Sequence, residues 1–368
     1  MVSSELTGEE RSVYSSARED EPSRSPFTID RSRCLVIQTA FLGDVVLTTP
    51  LISVLAERHG PVDVLTTPAA GSLLENHAGV RSVIRYDKHG VDKGLRGMRR
   101  LLSELRARRY SIVYLPHRSA RSAVLALLTG ARERIGFGDS PAAITYTRRV
   151  PRPRTGHEVE RLLTLAGVGS EQASVSLGLT ADDHRAAENW LADRRLSSGF
   201  VALAPGSIWG TKRWPYYAEL AAMLDRPCVI VGGSDDRSLA EAIIAAAPGR
   251  VVSAAGALSL RASAALISRA AVLVTNDSAP LHLATAVGTP MVALFGPTIP
   301  EFGFGPRGPG DVTLGREGLP CRPCSKHGPE TCPLGHHRCM RDLTAHTVAA
   351  ALSAVLSGKE SRAICPRN

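Results

Sequence analysis

The chain has 368 residues, 43% hydrophobic and 5% aromatic, with a formal net charge of +9. This is more residues than one ordinary hydrophobic core organises, so the length predicts two domains. The scarcity of aromatic residues favours helices packed on sheets over an all-β fold. No apolar run of about 18 or more residues occurs, so no membrane-spanning helix is expected. The basic charge favours anionic partners, either nucleic acid, nucleotide sugars or an acidic membrane face, without choosing among them.

The two ends of the chain are polar. Residues 1–33 are rich in Ser, Glu and Arg and are predicted to form a disordered tail, and residues 358–368 a second tail. The N-terminus lacks the apolar segment of a signal peptide. We therefore expect a cytoplasmic protein, with loose attachment to an anionic membrane surface as a further expectation from its charge.

Short apolar runs alternate with helical patterns from Cys34 onward. In the first half the predicted strands are Cys34–Gln38, Val62–Thr66, Ser82–Tyr86 and Ser111–Pro116. The predicted helices are Val45–His59, Leu95–Arg109, Ala120–Leu128 and Glu158–Ala166. This alternation predicts parallel βαβ units.

The same alternation resumes after a linker at 176–198, which contains a predicted helix at Ala181–Arg194. Predicted strands are Val201–Ala204, Cys228–Val231, Val251–Val252, Val272–Thr275 and Met291–Phe295. Predicted helices are Tyr216–Leu224, Asp236–Ala247, Leu260–Arg269, Pro280–Val287 and Thr344–Leu356. We expect an α/β protein of two Rossmann-like, doubly wound domains at 34–175 and 199–342, followed by a C-terminal helix at 343–357. Ligands of such folds bind beyond the carboxyl ends of the strands, here in the cleft between the domains.

A Gly-Asp pair follows the first predicted strand. Gly43 permits a tight turn, and Asp44 stands at the predicted helix start. Asp44 has two interpretations, as a helix N-cap or as a carboxylate at the cleft that removes a proton from an acceptor hydroxyl.

The loop at 204–215 joins a strand to a helix and carries hydroxyls at Ser207 and Thr211 beside the adjacent cations Lys212 and Arg213. Such a loop is suited to cradle a diphosphate. Trp214 has the simpler interpretation of a core residue. The Gly-Pro turn before Thr298 places another hydroxyl at a strand end, within expected reach of a nucleotide.

A third strand end reads Thr-Asn-Asp-Ser-Ala-Pro-Leu-His over 275–282. Ser278 is a plausible N-cap, Pro280 suits the first helical turn, and the free amides of a helix start attract phosphate oxygens. His282 lies four residues after Ser278, on the same helical face. The alternative interpretation is a capping serine and a buried, hydrogen-bonded histidine.

These four motifs, in their order along the chain, resemble glycosyltransferase family 9, the ADP-heptose:lipopolysaccharide heptosyltransferases. The resemblance covers Cys34 to Leu356. The 276–278 and 212–215 segments are more similar to the second heptosyltransferase than to the first. The resemblance implies a GT-B fold, with 34–175 on the acceptor side and 199–342 binding the nucleotide sugar. It also implies an inverting mechanism and no cofactor requirement for catalysis.

The resemblance also implies roles for individual residues. Asp44 is the implied catalytic base. The implied donor-binding residues are Ser207, Thr211 and Lys212 at the diphosphate, Asp277 at donor hydroxyls, and Ser278, Ala279 and His282 at the phosphate end. The family usually has Gly where this chain has Ala279, so its methyl group is expected to shift the donor slightly. The implied partners are ADP-heptose and an anionic lipopolysaccharide core acceptor, with peripheral contact to the cytoplasmic face of the inner membrane and no nucleic acid.

Four cysteines and three histidines crowd into 321–339, as Cys321-x2-Cys324-x7-Cys332-x6-Cys339. Four thiolates at this spacing are compatible with a structural zinc or an iron–sulfur cluster. Unligated thiols are the alternative, and disulfides are disfavoured in cytoplasm. The segment is also basic, and either helps to receive the anionic acceptor or is simply a solvated loop.

Two other functions are compatible with this sequence. One is a glycosyltransferase of the same fold that uses another nucleotide sugar and another acceptor, because sugar specificity depends on few contacts. The other is a non-enzymatic metal- or nucleic-acid-binding module built around the Cys-rich segment. The interleaved aromatic and basic residues typical of nucleic-acid surfaces do not occur.

Overall fold

The computed structural model describes residues 33–88, 90–169 and 174–358. The predicted tails at 1–33 and 358–368 lie outside the described residues except for Arg33 and Gly358. Within the described part of the chain, no helix is both long enough and apolar enough to cross a bilayer.

The first half forms a six-stranded parallel sheet in the order β3-β2-β1-β4-β5-β6. Its strands are β1 (Cys34–Ile37), β2 (Val62–Thr66), β3 (Val80–Arg85), β4 (Ile112–Leu115), β5 (Glu133–Phe137) and β6 (Arg148–Val150). Its helices are α1 (Leu42–Leu47), α2 (Thr49–His59), α3 (Pro68–Leu74), α4 (Gly94–Ala107), α5 (Ala120–Leu128) and α6 (Glu158–Leu163).

The second half repeats this architecture, in the order β12-β11-β10-β7-β8-β9. The strands are β7 (Val201–Ala204), β8 (Cys228–Ile230), β9 (Val251–Ser253), β10 (Val272–Asn276), β11 (Met291–Phe295) and β12 (Val312–Gly315). The helices are α7 (Ala181–Ala192), α8 (Tyr217–Met223), α9 (Arg237–Ala246), α10 (Leu260–Ile267), α11 (Ala279–Val287), α12 (Arg338–Arg341) and α13 (Ala345–Leu356). Both sheets have the Rossmann strand order, so the prediction of two doubly wound domains is confirmed.

Several elements differ from their predicted form. The helix predicted at Val45–His59 begins at Leu42 and is divided at Thr48, because Pro50 lies in the first turn of a second helix that begins at Thr49. Five elements have no predicted counterpart: β5, β6, β12, α3 and α12. The missed strands have only three to five residues and polar or glycine positions that hide the apolar pattern.

The two halves share one continuous apolar core. It runs from α1 and α2 of the first half through Val175 and α7 to α10 and α11 of the second. Helix α1 packs directly against α11. The N-termini of these two helices, which follow β1 and β10, therefore face each other across the interdomain cleft.

The predicted linker is fixed to both halves. Helix α7 packs along α10, and Arg261 of α10 donates to Asp183 of α7 at 2.5 Å. The same guanidinium donates to the backbone carbonyls of Gly178 at 2.5 Å and of Glu75 at 2.6 Å. One buried side chain thus joins the first half, the linker and the second half.

Candidate active site

A cleft of about 810 Å³ opens between the two halves. Its walls include seven of the eight predicted site residues: Asp44, Ser207, Lys212, Asp277, Ser278, Ala279 and His282. Thr211 is buried beside the cleft and does not line it, because its hydroxyl donates to the carbonyl of Pro329. The structure therefore brings together residues from motifs that are more than 200 positions apart in the sequence.

Asp44 is the carboxylate contributed by the first half. It lies in the first turn of α1, three residues after the N-cap position held by Phe41, so the N-cap interpretation is wrong. The backbone N–H of Phe41 donates to Oδ2 of Asp44 at 3.2 Å. Desolvation by burial, reinforced by the negative charge of Glu158, raises the pKa of Asp44 to about 7. A carboxyl group with this pKa is suited to accept a proton near neutral pH.

Lys212 is held by a carboxylate of the second half. Its Nζ donates to Oδ2 of Asp277 at 2.6 Å and to the backbone carbonyl of Asp277 at 3.2 Å. The Thr298 hydroxyl donates to the same Oδ2 at 2.6 Å. Thr298 is thus buried against Asp277, and not directed at a ligand as the sequence suggested. Lys212 and Asp277 form a preorganised cation–carboxylate pair in the cleft wall.

The start of α11 presents two buried polar atoms that lack a partner among the described residues, Oγ of Ser278 and Nδ1 of His282. Ser278 occupies the N-cap position, but its hydroxyl makes no capping bond. The alternative interpretation required a buried histidine with its hydrogen bonds made. His282 is buried, but its Nδ1 has no partner among the described residues. Buried polar groups without partners are destabilising, and at a helix N-terminus inside a cleft they are suited to bind an anion.

Burial lowers the pKa of His282 to about 4, so its imidazole is neutral at physiological pH. Its ring lies directly against Gly43, where an added Cβ would collide with Cδ2 of His282 and lie 3.0 Å from Nε2. Only glycine permits this approach of α1 to α11. Gly43 therefore sets the spacing between Asp44 and the N-terminal end of α11.

Asn276 helps to shape the cleft, although the sequence alone assigned it no role. Its Nδ2 donates to the carbonyl of Pro205 at 2.9 Å. Its Oδ1 accepts from the Trp214 backbone N–H at 3.2 Å and from the Tyr217 hydroxyl at 3.3 Å. This one amide joins the end of β10 to the loop that carries Lys212. Trp214 itself is a core residue, as its simpler interpretation held.

The loop after β8 was also missed, although its Gly-Gly pair after an apolar strand was a usable signal. The carboxylate of Asp236 accepts from the Gly233 N–H at 2.9 Å. It also occupies the space that a Cβ on Gly206 or Gly232 would need. Beyond it, Leu258, Leu260 and Ile267 give this end of the cleft an apolar wall.

The Cys-rich segment braces the Lys212 loop. Nε2 of His337 lies 2.8 Å from the Thr211 carbonyl, Oε2 of Glu330 accepts from the Gly210 N–H at 3.1 Å, and His327 stacks near Trp209. Lys326 and His327 reach the cleft wall. Cys321, Cys324, Cys332 and Cys339 are free thiols. The described residues contain no group of three or more His, Cys, Asp or Glu side chains placed to hold a metal ion, so the predicted zinc or iron–sulfur cluster gains no support.

The chain is similar in sequence to proteins of one known family. Residues 98–334 match glycosyltransferase family 9 (heptosyltransferase). Lipopolysaccharide heptosyltransferase 2 of Salmonella typhimurium is 29% identical over 295 residues, which cover 73% of this chain and 84% of that protein. Lipopolysaccharide heptosyltransferase 1 of Pseudomonas aeruginosa is 28% identical over 362 residues, which cover 89% and 99%.

Solved structures of proteins from the same family are also similar to this chain. The ADP-heptose lps heptosyltransferase II of Escherichia coli superposes with a TM-score of 0.73 at 25% identity, covering 89% of this chain and 100% of that one. A family 9 glycosyl transferase from Veillonella parvula gives 0.78 at 23% identity, covering 90% and 98%. The two parallel six-stranded sheets match these GT-B structures. The chain belongs to glycosyltransferase family 9, the heptosyltransferases, and is a glycosyltransferase.

Proposed function

We propose that the chain transfers a heptosyl group from ADP-heptose to the lipopolysaccharide inner core, with inversion at the anomeric carbon and without a metal in the chemical step. The observation that carries this proposal is the placement of Asp44 opposite the Lys212–Asp277 pair and the start of α11 in one cleft. A general base for the acceptor hydroxyl on one wall and a site for the leaving diphosphate on the other suit a single displacement.

The donor diphosphate is proposed to bind at the start of α11. There it receives hydrogen bonds from the backbone amides and from Oγ of Ser278, which has no partner among the described residues. Lys212 neutralises the negative charge that the diphosphate gains as the glycosidic bond breaks. Because Lys212 is already held by Asp277 at 2.6 Å, little reorganisation is required. Ser207 and Ala279 complete this end, and Thr211 is proposed to act only through the position of its loop.

The sugar is proposed to lie between Asp277 and Asp44, with donor hydroxyls bound by Asp277. The carboxylate form of Asp44 accepts the proton of the acceptor hydroxyl as the new bond to the anomeric carbon forms. The proton thus passes from the acceptor oxygen to Oδ of Asp44, and the electron pair of the broken bond leaves with ADP. The adenosine is proposed to occupy the apolar end beside Leu258 and Ile267.

The acceptor is proposed to enter from the side of the first half, near Phe41. Lys326 of the Cys-rich segment lies in the cleft wall and is proposed to contact the anionic core. The zinc or iron–sulfur prediction stays separate from this chemistry. Stoichiometric zinc or iron in protein purified without oxidation would support it.

The test is release of ADP from ADP-heptose in the presence of a heptose-deficient core acceptor, with analysis of the anomeric configuration of the product. A thermal-shift screen of ADP-, UDP- and GDP-sugars identifies the donor. Stabilisation by ADP-heptose alone supports the proposal. Stabilisation and turnover with another nucleotide sugar would favour the alternative of a family 9 enzyme with a different donor. The family membership rules against the non-enzymatic module.

A further inference from the structure

The positive charge of this chain is concentrated in one part of the first half. Residues 87–154 hold 16 Lys and Arg against 5 Asp and Glu, whereas the rest of the chain holds 28 against 30. The whole net charge of +9 therefore originates in the segment that forms α4, β4, α5, β5 and β6. A segment with such an excess of positive charge attracts anionic surfaces.

Exposed apolar side chains concentrate in the same segment. Of nine large apolar side chains that are exposed in the described part of the chain, five belong to it. These five are Val91, Leu95, Val124, Leu127 and Ile144. Leu95 and Ile144 are each 84% exposed. Exposed apolar side chains grouped among basic ones are typical of a surface that binds a membrane or a protein partner.

These side chains lie on one layer of the fold. Helices α4 and α5 pack side by side, and the turn Ala143–Thr145 packs on α5. Their inner faces, including Leu101, Leu105 and Ala126, cover one face of the first sheet. Leu95, Arg96 and Arg99 of α4 and Arg121 and Val124 of α5 are exposed. The fold therefore satisfies the inner faces of this layer and leaves an outer face that is both basic and apolar.

The helices of this layer begin at the same edge of the first sheet as the proposed base. Helix α4 follows the loop after β3, and α5 follows β4. Both helices therefore begin at the carboxyl edge of the sheet, where Asp44 follows β1. A surface placed there bears on how a membrane-anchored acceptor reaches the cleft.

We propose that the outer surface of α4 and α5, with Val91 and Ile144, docks on an anionic lipid bilayer. Leu95, Val91 and Val124 enter the headgroup region while Lys93, Arg96, Arg99 and Arg121 contact lipid phosphates. The mixture of the two side-chain types selects a bilayer over a nucleic acid, because phosphodiester backbones provide no apolar phase for five exposed aliphatic side chains. This surface deepens the proposed function, since its use depends on a lipid-linked acceptor.

The interaction requires both charge and apolar contact. Each Lys or Arg near an anionic membrane strengthens binding about fivefold. A charge reversal on α4 together with loss of one inserted aliphatic side chain should therefore weaken partition by at least about tenfold. The same pair of changes elsewhere on the molecule should have little effect.

The experiment is co-sedimentation of the full chain with vesicles of phosphatidylcholine alone or of equimolar phosphatidylcholine and phosphatidylglycerol. The test variant is Leu95→Ser/Arg99→Glu, and the matched control is Met223→Ser/Arg226→Glu, which removes one exposed aliphatic side chain and one exposed cation from the second half. We expect the wild type and the control to bind only the anionic vesicles and to be released by high salt. We expect the test variant to bind at least tenfold more weakly.

Equal binding by the test variant and the wild type, or equal losses in both variants, would overturn the proposal. Binding to a duplex oligonucleotide that the test variant loses, with no vesicle binding, would assign the surface to nucleic acid instead. Circular dichroism verifies that each variant is folded. Turnover of a delipidated soluble acceptor is measured in parallel. Vesicle binding without that turnover would leave the docking surface intact and refute the proposed function, whereas turnover without vesicle binding would do the reverse.

Discussion

The Asp44→Asn substitution tests two effects of a carboxylate in a desolvated cleft, its role as a catalytic base and its cost to stability when it ionises. The amide keeps the shape of the side chain and an oxygen that accepts from the Phe41 N–H, but it takes no proton. We therefore expect the kcat of the variant to fall by about 10²–10⁴-fold, while its affinity for ADP stays close to that of the wild type. In the wild type, the kcat/KM should rise with pH around an apparent pKa of about 7.

The same substitution should alter stability in a pH-dependent way. The folded-state pKa of Asp44 lies at about 7, above its ordinary value of 3.8, so the folded protein binds this proton more tightly than the unfolded chain. Ionisation of Asp44 therefore has no effect on the free energy of unfolding below pH 3.8. It lowers this free energy progressively between pH 3.8 and pH 7, and the loss is complete above about pH 7. The upper bound of this effect is about 4 kcal/mol. Because Asp44 is partly exposed, we expect about 1–2 kcal/mol.

Chemical denaturation at pH 5 and pH 8 measures this effect. The Asn variant should gain stability relative to the wild type at pH 8, and less at pH 5. Asp63→Asn is the opposite-sign control. Hydrogen bonds from Arg81 and Tyr110 outweigh desolvation and lower the pKa of Asp63, so its ionised form stabilises the fold at neutral pH. An Asp44→Asn variant with most of its activity, or with no greater gain at pH 8 than at pH 5, would refute the reasoning.

Three further substitutions test the remaining parts of the site. Lys212→Met should weaken ADP binding and lower kcat by at least about 10²-fold, which calorimetry and initial rates measure; unchanged values would remove Lys212 from the donor site. Gly43→Ala should destabilise the protein by about 1–3 kcal/mol, and His282→Ala in the same chain should restore part of this loss in denaturant titrations if the collision is the cause. Ser278→Ala should leave the unliganded free energy of unfolding unchanged or raise it by about 1 kcal/mol, since it removes an unpaired hydroxyl, yet weaken ADP binding; a stability loss would instead show that this hydroxyl has a partner in the free protein.

The sequence predicted the layered fold because buried parallel strands are continuous apolar runs, as in Met291–Phe295. It also predicted which strand ends carry the site, since polar residues cluster directly after those runs. It did not reveal the role of Asn276, whose partners at Pro205 and Trp214 are more than 60 positions away. Contacts of this kind depend on strand order, which no local pattern encodes.

Thr211 shows the same limit in a different form. Its position beside Lys212 suggested a ligand contact, but the hydroxyl donates to Pro329 in the Cys-rich segment. Thr298 is likewise diverted to Asp277. A hydroxyl near a strand end is within reach of several acceptors, and tertiary packing decides which one it reaches. Composition alone thus indicated which loop lines the cleft but not the direction of each side chain.

The contact of Gly43 with His282 has a consequence for how the two substrates affect each other. The proposed base belongs to one domain and the proposed diphosphate site to the other, and this contact joins the two helices, α1 and α11, that carry them. A small rotation of one domain would alter the spacing of the two sites while leaving each internally intact. A donor that favours one interdomain angle therefore changes the affinity for the acceptor, and by thermodynamic reciprocity the acceptor changes the affinity for the donor by the same factor.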